Sequence, residues 1–184
     1  MRVFVSVDLP PSLVDAVESV QAMFAKERGL RFTDPTQAHI TMKFLGEVPE
    51  SLIPEITTWL SEAIDELTID PFSATIAGLG AFPSTDYIRV IWLGITNGHD
   101  DLMHIQEVIE RKAITAGFDA EQHDFTPHIT IARMEHAADK ANIQAILEDE
   151  DPHVGTMTVD AVALTKSTLG ENGPVYSTIK RFEL

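Results

Sequence analysis

Apolar residues along the chain alternate in short β-branched runs, shift to helical spacing, and alternate again. Arg2–Asp8 predicts a strand, ended by Leu9-Pro10-Pro11. Ser12 then stands as the cap of a helix whose apolar stripe is Leu13, Val14, Val17, Val20, Met23 and Phe24. Thr36–Leu45 predicts the next strand, closed by Gly46. Pro49–Leu67 predicts a second helix carrying Leu52, Ile56, Trp59, Leu60 and Ile64. Pro71–Gly80 and Tyr87–Ile95 read as strands joined by a turn at Pro83-Ser84-Thr85-Asp86.

The order then restarts. Tyr87–Ile95 leads into a helix over Asp100–Ala116, with Leu102, Ile105, Val108, Ile109 and Ala113 on one face and Gly117 at its end. A strand over Pro127–Arg133 follows, then a helix over Ala137–Leu147. Two last strands, Thr156–Lys166 and Val175–Phe182, flank a turn holding Gly170-Glu-Asn-Gly173-Pro. Residues 1–86 and 87–184 therefore read as two copies of one unit. No linker separates them, so residues 1–184 are expected to form one α+β domain. It should be a duplicated, two-lobed fold, with two largely antiparallel sheets facing a central cleft and helices outside.

Composition narrows this picture only in places. A chain of 184 residues that is 44% hydrophobic is an ordinary globular protein, not a disordered one. No apolar run approaches the roughly 20 residues that span a bilayer, so no membrane association is expected. The N-terminus reaches Asp8 too early for a secretory signal. Zero cysteines exclude disulfides, thiolate-bound metal and a thiol nucleophile, so a cytoplasmic protein is expected. Charge is the outlier. Thirteen basic side chains against 29 acidic ones leave a formal −16. The acids are spread along the chain, which suits a surface solvated for high salt, and such a surface repels long polyanions. A nucleic-acid substrate then requires a locally basic cleft.

The second strand of each copy opens alike: His39-Ile40-Thr41-Met42 and His128-Ile129-Thr130-Ile131, 89 residues apart. Alternation puts His39 and Thr41 on one face and Ile40 and Met42 on the other, and likewise for His128, Thr130, Ile129 and Ile131. One His-x-Thr is a weak signal, because a partly buried strand histidine explains it. Two copies at one position of a repeated unit are not readily accidental. Two such faces across a pseudo-two-fold axis make a cleft with two imidazoles and two hydroxyls. A neutral imidazole takes a proton from attacking water, and an imidazolium protonates a departing ribose oxygen. Each threonine hydroxyl donates to a non-bridging phosphate oxygen.

These residues resemble the two-histidine phosphoesterases, and within them the archaeal and bacterial RNA 2′,3′-cyclic phosphodiesterases, also called RNA 2′-5′ ligases. The resemblance includes Arg2-Val-Phe-Val-Ser-Val-Asp-Leu-Pro10 and Thr36-Gln-Ala-His-Ile-Thr-Met-Lys-Phe-Leu-Gly-Glu47. It continues through Gly78-Leu-Gly-Ala-Phe-Pro83, Arg89-Val-Ile-Trp-Leu-Gly94 and Phe125-Thr-Pro-His-Ile-Thr-Ile-Ala-Arg133. It ends in Lys166-Ser-Thr-Leu-Gly170 and Gly173-Pro-Val-Tyr176. The resemblance implies hydrolysis of 2′,3′-cyclic phosphates, at RNA ends or on nucleosides, to 2′-phosphomonoesters. It implies His39 as proton donor and His128 as acceptor, roles the sequence alone does not order. A monomer without cofactor is expected. Two alternatives stand beside hydrolysis: reversible 2′-5′ ligation of tRNA halves, and a module that binds RNA ends without turnover.

Other residues carry open readings. Lys43 shares the parity of His39 and Thr41, so it either offers charge to the cleft or is a solvated strand-end lysine. Arg133 lies five positions after His128. Alternation places it on the opposite face, as a surface ion pair, unless a bulge brings it round to phosphate. Lys166, Ser167 and Tyr176 fall where the family's last hairpin borders the cleft, and Tyr176 either stacks on a nucleoside or packs in the core. Phe4, Phe44, Phe82 and Phe125 are candidates for a base platform, most of them core. His99, His104, His123, His136 and His153 read as surface residues, and no HExxH or Walker pattern occurs, so no metal and no ATP are expected.

Overall fold

A computed structural model describes residues 1–136, 140–170 and 173–184. Its strands are β1 (Arg2–Asp8), β2 (Leu30–Phe32), β3 (His39–Glu47), β4 (Phe72–Pro83) and β5 (Ile88–Asn97). They continue with β6 (His128–Met134), β7 (His153–Val159), β8 (Ala161–Gly170) and β9 (Gly173–Glu183). The helices are α1 (Val14–Met23), α2 (Ile53–Glu66), α3 (His99–Thr115) and α4 (Lys140–Asp149). The α+β class and antiparallel pairing agree with the sequence pattern. No helix is long and apolar enough to cross a membrane among the described residues.

The strands run β7-β4-β5-β6-β3-β1-β8-β9 across a curled sheet. Each half of that sheet draws strands from both halves of the chain: β4 pairs with β5 and β7, while β8 and β9 join β1 and β3. The halves meet at a single residue pair, Ile40 opposite Ile129. Further along β6, Ala132–Met134 pairs with β2 instead, so β3 and β6 part there. Burial of apolar side chains closes both seams: Ile40, Ile129 and Ile131 have no exposed surface. In α2, Ile56, Trp59, Leu60, Ala63 and Ile64 recur at helical spacing and are all buried.

Several boundaries differ from the sequence pattern. Ser12 does not cap α1; Pro11–Leu13 forms a 3₁₀ turn first, and no side chain caps the helix. The segment expected as one strand over Thr156–Lys166 is two strands, β7 and β8, which part at Asp160. β2 was not foreseen, because three residues between Gly29 and Pro35 carry no readable period. The expected start of α4 at Ala137 and the Glu171-Asn172 turn lie outside the described residues.

Candidate active site at the seam of the two half-sheets

Extending the Ile40–Ile129 register antiparallel places His39 beside Thr130 and Thr41 beside His128. All four sit on the face opposite the buried isoleucines, and all four are half-buried. The two histidines are then diagonal neighbours, roughly 7–8 Å apart in an ordinary sheet, which leaves room for a phosphate between them. A cleft of about 390 Å³ is lined by His39, Thr41, His128 and Thr130 together.

Each imidazole is oriented by the backbone just before its own strand. Nδ1 of His39 donates to the Gln37 carbonyl at 2.9 Å, and Nδ1 of His128 donates to the Thr126 carbonyl at 2.6 Å. A carbonyl only accepts, so Nδ1 carries the hydrogen in both rings and Nε2 is left for the cleft. Aromatic rings fix the planes. Phe4 stacks on His39 at 4.8 Å between centroids, and Tyr176 meets it edge-on at 5.0 Å. Phe82 meets His128 edge-on at 4.8 Å, and Trp92 lies 6.0 Å away. The Trp92 ring lies against Gly80, where a Cβ would run into the indole.

The two sites differ in one cross-strand partner. His39 faces Asp8 on β1, whereas His128 faces Gly94 on β5. Ser6 donates to Asp8 at 3.1 Å and is itself paired with Thr165 at 2.9 Å. Burial pushes both imidazoles below the ordinary histidine range, against the opposing pull of their backbone carbonyls. Asp8 favours the charged form of His39, while Arg133 disfavours it for both rings, and His39 disfavours it for His128.

Matching bulges decide where the flanking residues point. On β3, pairing with β1 runs Ser6–Thr41 and then Val5–Lys43, leaving Met42 extra. On β6, pairing with β5 runs Trp92–Thr130 and then Ile91–Ala132, leaving Ile131 extra. Each bulge lies three residues after its histidine and reverses the alternation beyond it. Arg133 therefore turns onto the cleft, with Phe44 at the equivalent place on β3. Lys43, whose parity left open either cleft charge or a solvated strand end, is instead buried at 2% exposure. Its Nζ donates to the Asp119 carbonyl at 2.7 Å and lies 2.9 Å from Glu110, a contact ionic in character without hydrogen-bond alignment. The Lys43→Ala variant should lose about 2–3 kcal/mol in denaturant unfolding, less than a fully enclosed pair because Glu110 keeps some water. Unchanged stability would mean that the pair holds nothing in place.

Of the hairpin residues, Ser167 and Tyr176 line the cleft. Lys166 lines neither the cleft nor the groove beside it, since it points to the other side of β8 from Ser167. The Tyr176 backbone N–H donates to Gln37 Oε1 at 2.8 Å, tying the hairpin to the turn that precedes His39. Phe4 is buried beneath His39, Phe44 is 58% exposed in the cleft, and Phe82 and Phe125 are half-buried beside His128. His104, His123, His136 and His153 are exposed and His99 is half-buried, and of these His123 borders the neighbouring groove. Among the described residues, no group of three His, Asp or Glu side chains is placed to hold a metal ion.

The cleft is basic despite the acidic chain. Arg2, Arg31 and Arg133 line it, with Asp34 the one carboxylate among the described residues, and Asp34 accepts from Thr36. Arg31 pairs with Glu135 at 2.7 Å, while Arg2 and Arg133 have no ion pair among the described residues. Guanidiniums left unpaired amid 29 acids are set for an anion. Arg2 was missed in the sequence, although it shares strand parity with Phe4 and Asp8. Arg31 was missed along with β2.

A model of the 2′-5′ RNA ligase superfamily matches residues 9–171. The RNA 2′,3′-cyclic phosphodiesterase of Methanocaldococcus jannaschii is 34% identical over 183 residues, covering 99% of this chain and all of that protein. The enzyme of that name from Methanothermobacter thermautotrophicus is 31% identical over 186 residues, covering 100% and 99%. Among solved structures, TT0787 of Thermus thermophilus superposes with a TM-score of 0.83 at 28% identity, covering 100% of this chain and 98% of that one. Escherichia coli LigT complexed with 3′-AMP shares the fold, with a TM-score of 0.81 at 22% identity and coverage of 100% and 97%.

Proposed function

The chain belongs to the 2′-5′ RNA ligase superfamily, and from that membership we propose that it is an RNA 2′,3′-cyclic phosphodiesterase worked by His39 and His128. The observation that carries this reading is the pair of His-x-Thr segments side by side at one strand seam, both Nε2 atoms free toward one basic cleft. The cyclic phosphate sits between the histidines. Thr41, Thr130 and Arg133 donate to its non-bridging oxygens, where charge grows in the transition state. His128, without a facing carboxylate, takes the proton of the attacking water. His39, faced by Asp8, gives a proton to the departing 3′ oxygen, and the phosphate remains on the 2′ oxygen. Tyr176 and Phe44 wall the nucleoside side of the cleft. Both half-sheets contribute, so residues 1–184 act as one two-lobed unit.

The test is incubation of the protein with a short RNA ending in 2′,3′-cyclic phosphate, with chelator and over a range of salt. Conversion to a 2′-phosphate is expected. A 3′-phosphate product, or no conversion at any salt, contradicts the proposal.

The unequal environments give a second expectation. Asp8→Asn removes the carboxylate that favours charged His39, so His39 releases its proton at lower pH. The alkaline limb of the pH–rate profile, where the acid is lost, should move to lower pH while the acid limb set by His128 stays. Equal movement of both limbs would mean that Asp8 does not distinguish the two rings.

A further inference from the structure

A buried polar side chain normally has a hydrogen-bond partner, and one without a partner calls for an explanation. Gln106 is 6% exposed, and its amide makes no hydrogen bond among the described residues. It stands in the apolar stripe of α3, between Leu102 and Ile109, where a leucine would satisfy the packing. Glu110, one turn further along α3, lies 2.9 Å from Lys43 of β3 and so pins this part of the helix to the sheet. The amide is thus held in place by its helix and bonded to nothing.

Gln106 borders a groove of about 820 Å³ beside the cleft, within the roughly 300–1,000 Å³ that ligand pockets occupy. Thr41, Phe44, His128, Thr130 and Arg133 line both spaces, so the two are continuous. Two of the buried polar side chains, Lys43 and Gln106, reach this groove. Lys43 is held by the Asp119 carbonyl, Glu110 and Glu121, which leaves the Gln106 amide as the one without a partner. Phe44 and Phe125 add ring surface to the same groove. At its rim Arg89 donates to the Tyr87 hydroxyl at 2.9 Å, and Lys140 Nζ lies 4.8 Å from the centre of that ring. Neither cation has an ion pair among the described residues, although Asp124 also borders the groove.

A carboxamide sets an acceptor beside a donor in one plane. Next to aromatic rings, that edge matches a heterocycle presenting a donor beside an acceptor, and the two pair in bidentate fashion. Adenine carries its amino group between two ring acceptors, so either of two edges meets the amide, and its purine face stacks more broadly than a pyrimidine. Cations at the rim suit the phosphodiester of the same strand. We propose that the groove receives the nucleotide on the 5′ side of the cyclic-phosphate nucleoside, and that Gln106 selects adenine as its base. The inference rests on the phosphodiesterase reading above. The terminal nucleoside lies in the cleft beside Tyr176, and Phe44, common to both spaces, stands between the two bases. Gln106 touches the substrate but none of the reacting atoms, so it sets which RNA end is processed and not how.

The test measures kcat/KM for hydrolysis of three substrates by the wild type and Gln106→Leu. One is a nucleoside 2′,3′-cyclic phosphate. The others are dinucleotides ending in that same unit, preceded by adenosine or by purine riboside, which lacks the amino group. The wild type should favour the adenosine dinucleotide over the purine one by about tenfold or more, the size of one bidentate contact. In Gln106→Leu the two dinucleotides should come within about twofold of each other, and the mononucleotide should be hydrolysed within about twofold of the wild-type rate. The variant should also unfold at the same or a higher denaturant concentration, because it removes an unpaired amide from an apolar stripe. A lower midpoint would make Gln106 a structural residue and overturn the proposal. Equal rates on the two dinucleotides by the wild type, or a preference that survives in Gln106→Leu, would overturn it too. So would a fall in mononucleotide hydrolysis by the variant, which would place the amide at the reacting nucleoside. A wild type that hydrolyses none of the three would instead remove the underlying phosphodiesterase reading.

Discussion

Replacing either His39 or His128 by alanine should lower turnover of a 2′,3′-cyclic phosphate by about 10²–10⁴-fold, the usual contribution of a positioned general acid or base. Neither loss should come from unfolding. Both rings are half-buried at the cleft, and each Nδ1 bonds only to a carbonyl two residues earlier, just before its strand begins. A cooperative melt close to the wild type's checks this. The two variants should then separate by leaving group. His39→Ala lacks the proton for the departing oxygen, so a phosphodiester whose leaving group departs as an anion restores much of its rate. His128→Ala still cannot activate water and gains little. Near-wild-type turnover by either variant would remove the two-histidine mechanism.

Arg133→Ala should lower kcat/KM by about 10²–10³-fold, as expected where a donor to developing charge is lost. Its guanidinium lines the cleft without an ion pair among the described residues, so its removal exposes no structural partner. Lysine should restore only part, because it lacks the planar fork that meets two phosphate oxygens at once. A second readout separates this role from mere packing. Arg133 disfavours the charged form of both histidines, so its loss lets both hold protons to higher pH. The whole pH profile should therefore move upward. A drop in rate with an unmoved profile would place Arg133 away from the histidines.

The fold was legible where periods are long. The alternation of β1 and β3, and the spacing of Ile56, Leu60 and Ile64 in α2, led directly to the observed elements. The repeated His-x-Thr at strand starts led to a shared face because period-two alternation is strict over three residues. Over five residues it is not. Met42 and Ile131 each insert one residue, and that reversed the faces that strict alternation gives Lys43 and Arg133. Nothing in Met42-Lys43-Phe44 marks a bulge, since its cause is the pairing with β1, far away in sequence. Nor did the chain order show that β4 crosses to the other half-sheet. That pairing depends on β5 and β7, which follow it. The duplicated motif hides any order of acid and base, and the proposed order rests on the unlike residues opposite, Asp8 and Gly94.

The pH dependence of kcat/KM for a nucleoside 2′,3′-cyclic phosphate, taken with chelator present, bears most directly on proton transfer by two half-buried imidazoles. The proposed mechanism needs His128 neutral and His39 charged, so activity should rise through one limb and fall through another. Because burial lowers both rings, the bell should lie on the acid side of ordinary histidine titration. A rate that climbs steadily into alkaline pH, or that vanishes with chelator and returns with metal, would contradict the mechanism.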